Sequence, residues 1–143
     1  MSVAKFLILL GFIGAFFYFW QQHKAQSEIK AAIKTSDINR NGFISIPTPS
    51  NLNANTVIVL AAENCPKEDA KRADKLATEL GSHDIPFTRA HSANFQLMNP
   101  DPLVVKRIDI LMNGALPIVF VSGRAKNNPT LDEVLWEYRS TRQ

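Results

Sequence analysis

The sequence has a single cysteine among its 143 residues, and this scarcity excludes several kinds of site. One cysteine cannot close a disulfide within the chain, and it cannot supply the thiolates of a Cys-rich zinc site. Any redox chemistry at Cys65 must therefore join this thiol to another molecule. The cysteine count alone leaves the cellular compartment open.

An excess of charge of one sign is also missing from the larger part of the chain. Residues 56–143 hold 11 lysines and arginines and 11 aspartates and glutamates, so the formal net charge of +3 arises in the first 55 residues. A domain without a basic excess lacks the electrostatic footprint of a nucleic-acid-binding protein, and we expect no nucleic-acid partner. The length has room for one compact domain and excludes a two-domain enzyme.

Aromatic residues are concentrated at the start of the chain. Seven of the 13 lie in the first 20 positions, inside the uncharged run from Phe6 to Trp20. Helix rises about 1.5 Å per residue, so this run needs its flanking residues to cross a hydrocarbon core of about 30 Å. The pattern predicts a transmembrane anchor over residues 1–22, with residues 3–22 in contact with the membrane. A cleaved signal peptide is the alternative, but no small-residue cleavage site follows the run.

The positive charges on the two sides of this run are nearly balanced, so they say little about the orientation of the anchor. Lys5 precedes the run, and Lys24, Lys30 and Lys34 follow it. A short basic N-terminus followed at once by an apolar core is typical of export signals. We therefore predict a single-pass bacterial inner-membrane protein with a periplasmic domain.

Residues 23–55 predict a juxtamembrane helix and a linker. Within them, the segment Asp37–Thr48 resembles the first half of an EF-hand loop, with Asp37, Asn39 and Asn41 at its first, third and fifth positions. Its twelfth position is Thr48 instead of glutamate. An Asn-Gly turn between two short extended pieces is the interpretation we prefer, and an ion site is the alternative. Residues 47–55, rich in proline, serine and asparagine, complete the linker.

Residues 56–143 predict strands that alternate with helices. Apolar, β-branched runs indicate strands, and amphipathic periodicity or helix-capping residues indicate helices. The predicted strands cover 56–61, 85–90 and 116–121, and the predicted helices cover 66–80, 102–112 and 131–138. No fourth strand is predicted unless residues 123–127 continue beyond a turn. This order is typical of an α/β domain whose helices cover the sheet.

Cys65 falls between the first predicted strand and the first turn of the following helix, with Pro66 at the first helical position. The backbone N–H groups and the helix dipole favour a thiolate there, and Lys67 adds to this effect. Three nearby carboxylates act in the opposite direction, those of Glu63, Glu68 and Asp69. The sign of the shift in the Cys65 pKa therefore stays open. The alternative for a lone cysteine after a buried strand is a small core residue.

These residues resemble the glutaredoxin branch of the thioredoxin-like family over residues 56–140. Three segments carry the resemblance: 57–66 is similar to the first strand and Cys-Pro start of the active site, 85–88 to the next strand, and 116–124 to the cis-proline strand and its turn. The resemblance implies a thioredoxin-like sheet flanked by helices over residues 56–143.

The resemblance also implies a site. Cys65 corresponds to the nucleophile, and Pro66, Leu116 and Pro117 form a substrate groove in which Pro117 is the cis-proline that faces the cysteine. No resident cofactor or metal is implied, and glutathione is the implied co-substrate. The residues implied to contact glutathione or another anion are Lys67, Arg124, Thr130 and Asp132.

The sequence departs from the family pattern in ways that divide the predicted function. Glu68 stands in place of the second cysteine, which excludes dithiol chemistry, and residues 127–130 replace the segment that binds glutathione. One prediction is a membrane-anchored monothiol exchanger that acts through Cys65 on a protein thiol substrate or glutathione. The other is a redox-inactive interaction module that binds a protein partner in a membrane-associated assembly.

Other polar residues have simpler interpretations. Arg124 and Lys126 form either an anion-binding pair or a solvated turn. The basic residues of the first predicted helix form its solvated face. The three histidines show no metal-like spacing and are expected in solvent, at positions 23, 83 and 91.

Overall fold

The computed structural model describes residues 38–62 and 67–143, with only the backbone described at Lys67. These residues form a mixed five-stranded sheet and three helices. In chain order they are β1 (Ile44–Ser45), β2 (Val57–Leu60), α1 (Lys67–Ser82), β3 (Phe87–Ala90), α2 (Pro102–Met112), β4 (Ile118–Val121), β5 (Arg124–Asn127) and α3 (Leu131–Ser140). The predicted α/β class is confirmed.

The strands lie in the order β1-β5-β4-β2-β3. β2 and β3 are parallel and are joined through α1, whereas β4 runs antiparallel to β2, and β5 runs antiparallel to β4. Leu60 pairs with Ile118 in this register, so the end of β2 lies beside the beginning of β4. This pairing brings together two chain segments that are almost 60 residues apart.

The two faces of the sheet bury different side chains because successive strand residues point in opposite directions. On one face Val57, Val59 and Val119 join apolar residues of α1 and α3. On the other face Ile58 and Phe120 join Leu111 of α2. All four residues of β2 are buried, which confirms the prediction of a strand covered on both sides.

The predicted capping residues at the start of two helices are confirmed. Asp101 precedes α2, and its carboxylate accepts a hydrogen bond from the N–H of Leu103. Thr130 precedes α3 in a capping box, in which its side chain accepts from the N–H of Glu133 and the Glu133 carboxylate accepts from the N–H of Thr130.

The preferred Asn-Gly turn is also present. Ile38 bridges to Ile44 across the turn, and Gly42 adopts a positive φ of 79°. The structure adds that this segment belongs to the sheet: Ile44 pairs with Ala125 of β5, and Phe43 is fully buried in the core. β5 itself is the strand that was expected only if the chain continued beyond a turn at Gly123.

The predicted anchor over 1–22, the juxtamembrane helix after it, Cys65 and Pro66 lie outside the described residues. Within residues 38–62 and 67–143, no helix is long and apolar enough to cross a membrane.

Candidate functional site

The chain around Cys65 is described on both sides of a short gap. Ala61 and Ala62 follow β2, and Lys67 is the first residue of α1. Because Leu60 and Ile118 are paired, the antiparallel register continues toward Ala61 and Pro117. Two predicted groove residues, Leu116 and Pro117, thus lie beside the end of β2, where the chain leaves the sheet toward Cys65.

Leu116 and Pro117 are joined by a cis peptide bond, as the resemblance implies for this position. Their carbonyl groups are both occupied. The N–H of Asn128 donates to the Pro117 oxygen at 2.7 Å, and Nη2 of Arg72 donates to the Leu116 oxygen at 3.3 Å. The segment is therefore connected to α1 on one side and to the approach to α3 on the other.

The side chain of Asn127 holds the same segment in place through two hydrogen bonds. Its Nδ2 donates to the carbonyl oxygen of Leu111 at 2.8 Å and to that of Ala115 at 3.0 Å. A Cβ at Gly114 would lie 2.4 Å from this nitrogen, so the side chain passes directly over the glycine. Sequence reasoning noticed residues 127–130 only as a departure from a family pattern and missed this role. A glycine within a short loop between helix and strand is the only sequence signal that points to it.

A shallow cleft of about 160 Å³ opens beside Pro117. α1 contributes two basic side chains to it, those of Arg72 and Lys75, and the loop before α3 contributes Thr130. Both basic residues are exposed, as predicted for the solvated face of this helix. Arg72 also forms an ion pair with Asp69, and Lys75 lies 3.9 Å from Glu79, so the cleft holds partly neutralised cations.

Thr130 lines this cleft and also caps α3. Its Oγ1 accepts from the N–H of Glu133, and its own N–H donates to Oε2 of Glu133 at 2.9 Å. Burial raises the pKa of the Glu133 carboxyl, but hydrogen bonds from Lys126 and Thr130 outweigh this effect and hold the pKa below its usual value. Glu133 therefore stays ionised and keeps the cap in place.

Arg124 is not brought together with Pro117. It lies at the far end of the β4–β5 hairpin, opposite Val121, and its Nε is 3.7 Å from Oε1 of Glu137. Glu137 is 1% exposed and also accepts a hydrogen bond from Asn39. Arg124 thus takes part in a contact that joins α3 to the hairpin and to the turn before β1.

Lys126 is likewise engaged inside the domain. Its Nζ lies 2.7 Å from Oε1 of Glu133 and 2.7 Å from the carbonyl oxygen of Asn41. Arg124 and Lys126 are therefore each paired with a glutamate of α3. Asp132, another predicted contact, is exposed on α3 and lines a separate groove together with Trp136. The Lys67 side chain is outside the described atoms.

In the turn that resembles half an EF-hand, several polar groups contact protein partners, whereas Nδ2 of Asn41 is buried without a hydrogen-bond partner and Asp37 lies outside the described residues. Oδ1 of Asn39 accepts from the N–H groups of Asn41 and Phe43, and the ammonium of Lys126 occupies the Asn41 carbonyl. Among the described residues no group of three or more His, Cys, Asp or Glu side chains is placed to hold a metal ion. His83 and His91 are exposed as predicted, whereas His23 lies outside the described residues.

Taken together, the described residues form an α/β domain in which a hydrogen-bonded loop lies at one end of the interior strands of a mixed sheet, with a small polar cleft beside it. No family model matches the sequence, and neither a curated protein nor a solved structure matches the chain.

Proposed function

We propose that the chain is a membrane-anchored, thioredoxin-fold protein that exchanges disulfides through the single thiol of Cys65. The observation that carries the proposal is the position of the Leu116–Pro117 loop beside the end of β2. The resemblance to glutaredoxins requires a proline loop that faces the cysteine, and this juxtaposition supports it. Membrane attachment rests on the hydrophobic run within residues 1–22.

Chain connectivity limits the distance between Cys65 and this loop. Cys65 is three residues after Ala62 and two residues before Lys67 in the sequence, and consecutive Cα atoms are about 3.8 Å apart. Ala62 follows β2 at the end of the sheet where Pro117 lies. This reach supports a groove in which the thiol and the loop contact the same substrate.

Two of the carboxylates that disfavour a thiolate at Cys65 are paired with basic side chains. Oε1 of Glu68 lies 3.2 Å from Nζ of Lys71, and Asp69 is paired with Arg72. These pairs are exposed, so solvent screens them, but each places a cation beside an anion that would otherwise repel the thiolate. The dipole of α1, a helix of 16 residues, favours negative charge near the start of the helix.

The proposed reaction is thiol–disulfide exchange. The Cys65 thiolate attacks one sulfur of a mixed disulfide on the substrate, a new bond joins Cys65 to that sulfur, and the other sulfur leaves as a thiolate that takes a proton. A second thiol, of the glutathione class, then attacks the mixed disulfide on Cys65. The products are a small disulfide and the free Cys65 thiolate, so sulfur, electrons and protons balance.

A redox-inactive interaction module is the second candidate, and one contact favours it. The Leu116 carbonyl, which a bound substrate backbone would use, already accepts from Arg72. A partner must displace that guanidinium or share the oxygen with it, because a carbonyl oxygen can accept two hydrogen bonds. Such a groove can bind a protein segment without any chemistry at Cys65.

The test that separates the two functions is the pH dependence of Cys65 alkylation. The full chain, kept in a mild non-ionic detergent, is alkylated between pH 5 and pH 10, and the same chain in denaturant serves as the matched reference. Exchange predicts a midpoint below the ordinary value of about 8.5 in the folded chain and faster labelling than in the reference at neutral pH. A midpoint at or above that value, with slow labelling, contradicts exchange and favours the module. The Cys65→Ser variant must show no labelling.

A further inference from the structure

The Arg72 guanidinium is oriented by two contacts and still has donors to spare. Its Nη2 donates to Asp69 of the same helix and, at 3.3 Å, to the carbonyl oxygen of Leu116. A guanidinium carries five N–H groups in a rigid plane. Those of Nε and Nη1 have no acceptor among residues 38–62 and 67–143. Arg72 therefore presents free donors at a defined place beside the Leu116–Pro117 loop.

The cleft beside Pro117 carries more positive than negative charge. Among the described residues that line it, Arg72 and Lys75 are the cations, Glu79 is the one anion, and the others are uncharged. Nζ of Lys75 lies 3.9 Å from Oε1 of Glu79, and 76% of the Lys75 side chain is exposed. An exposed pair at this distance is weak, so Lys75 stays available to another carboxylate.

The loop before α3 adds a further polar group to this cleft. Asn128 adopts a positive φ of 44°, and its N–H donates to the Pro117 oxygen at 2.7 Å. Its side chain is exposed at the cleft, and the carboxamide forms no hydrogen bond to another described residue. An amide donor thus lies on the side of the cleft opposite to the two basic residues of α1.

We propose that this cleft binds a carboxylate side chain of an extended protein segment, and that Arg72 and Lys75 select acidic segments for the groove. A backbone N–H of the segment donates to the Leu116 oxygen, which can accept a second hydrogen bond beside that of Arg72. A neighbouring carboxylate accepts from Nε or Nη1 of Arg72. Because Nη2 itself contacts the Leu116 oxygen, these donors lie within one guanidinium of it, a distance that a glutamate side chain spans.

The same charges disfavour other segments. A lysine at this position would meet two cations and only one carboxylate, that of Glu79. A glutamine could accept from Arg72, but a neutral acceptor forms a weaker bond to a guanidinium than a carboxylate does. The expected order of affinity is glutamate, then glutamine, then lysine. This inference rests on the groove at Leu116 and Pro117 that both proposed functions share, and it names the class of segment that the groove prefers.

The test measures the binding of fluorescein-labelled peptides to the full-length Cys65→Ser chain in a non-ionic detergent by fluorescence anisotropy. The peptides are identical except at the two positions that flank a central serine, which carry glutamate, glutamine or lysine. The glutamate peptide should bind about tenfold more tightly than the glutamine peptide, and the lysine peptide should bind most weakly. This chain has no thiol, so the result is independent of the alkylation test that decides whether Cys65 exchanges disulfides.

Variants of the two basic residues assign the preference to the cleft. Arg72→Gln should reduce it to within about threefold, Lys75→Gln should reduce it less, and Arg72→Glu should make the lysine peptide the tightest of the three. Arg139→Gln is the matched control, because Arg139 is also exposed but lines the separate groove on α3, and it should leave the order unchanged. The proposal is overturned if no peptide binds, if the three bind equally, or if Arg139→Gln removes the preference as fully as Arg72→Gln.

Discussion

Gly114→Ala should destabilise the domain, although the same substitution would ordinarily stabilise it. Gly114 does not adopt a positive φ, so alanine should fit its backbone and reduce the entropy of the unfolded chain by about 0.4–1 kcal/mol. The new Cβ, however, would lie 2.4 Å from Nδ2 of Asn127. The Asn127 side chain is short and cannot move aside without releasing its acceptors.

The magnitude follows from the two hydrogen bonds that Asn127 would lose. These bonds join its Nδ2 to the oxygens of Leu111 and Ala115, and each contributes about 0.5–1.5 kcal/mol. Their loss costs about 1–3 kcal/mol, which exceeds the entropic gain. At about 4–8 °C per kcal/mol for a domain of this size, we expect the melting temperature to fall by roughly 5–10 °C.

The assay is urea or thermal unfolding of the full chain followed by circular dichroism, arranged as a double-mutant cycle. Asn127→Ala alone should cost a similar amount, because the same two bonds are absent. Gly114→Ala in the Asn127→Ala background should then be neutral or stabilising, since no side chain occupies the space. If Gly114→Ala costs the same in both backgrounds, the clash with Asn127 is not its cause and the reasoning is refuted.

Two further predictions concern ion pairs that hold α3. Glu137→Ala should lower the free energy of unfolding by about 2–4 kcal/mol, because Glu137 is 1% exposed and loses its bonds to Asn39 and Arg124. Glu137→Gln keeps the shape and one acceptor, and urea unfolding should show a smaller loss; equal losses would contradict a polar role. The pKa of the Glu133 carboxyl is lowered in the folded chain, so its ionised form stabilises the fold at pH values above the unfolded pKa of about 4.5. This stabilisation is lost as the pH falls through the lower pKa of the folded chain. Lys126→Met should reduce the loss of stability measured between pH 6 and pH 3, and an unchanged pH profile would show that the pair is not responsible.

The parts of the fold that depend on local chemistry could be predicted from the sequence. β2 is an uncharged β-branched run, and the caps at Asp101 and Thr130 are satisfied within their own helix turns. β5 gave no such signal, because only Ala125 of its four residues is buried. β1 has two residues and forms only because β5 offers it an open edge. Strands of this kind are determined by pairing across the sheet.

The candidate site divides in the same way. The Leu116–Pro117 segment could be located from the sequence, since a proline before an apolar strand needs a turn. The distance between Arg124 and Pro117 could not be predicted from their nearness along the chain, because β4 runs away from Pro117 and the turn that follows lies at its other end. The supports of the loop could not be predicted, because Arg72 and Asn127 reach it from other elements.

These supports bear on how the groove works in either proposed function. Asn127, Asn128 and Arg72 hold the loop from three directions, so little backbone entropy remains to be lost when a partner binds. Of the three, the contact from Arg72 is the one at the exposed side of the groove, and its guanidinium is half exposed and paired with Asp69. A partner can displace it at small cost, because the guanidinium keeps water and Asp69 as alternatives. The contacts from Asn127 and Asn128 do not involve this oxygen and can stay in place. In either proposed function, a partner would therefore meet a loop that is already held in place and an acceptor that a single surface side chain covers.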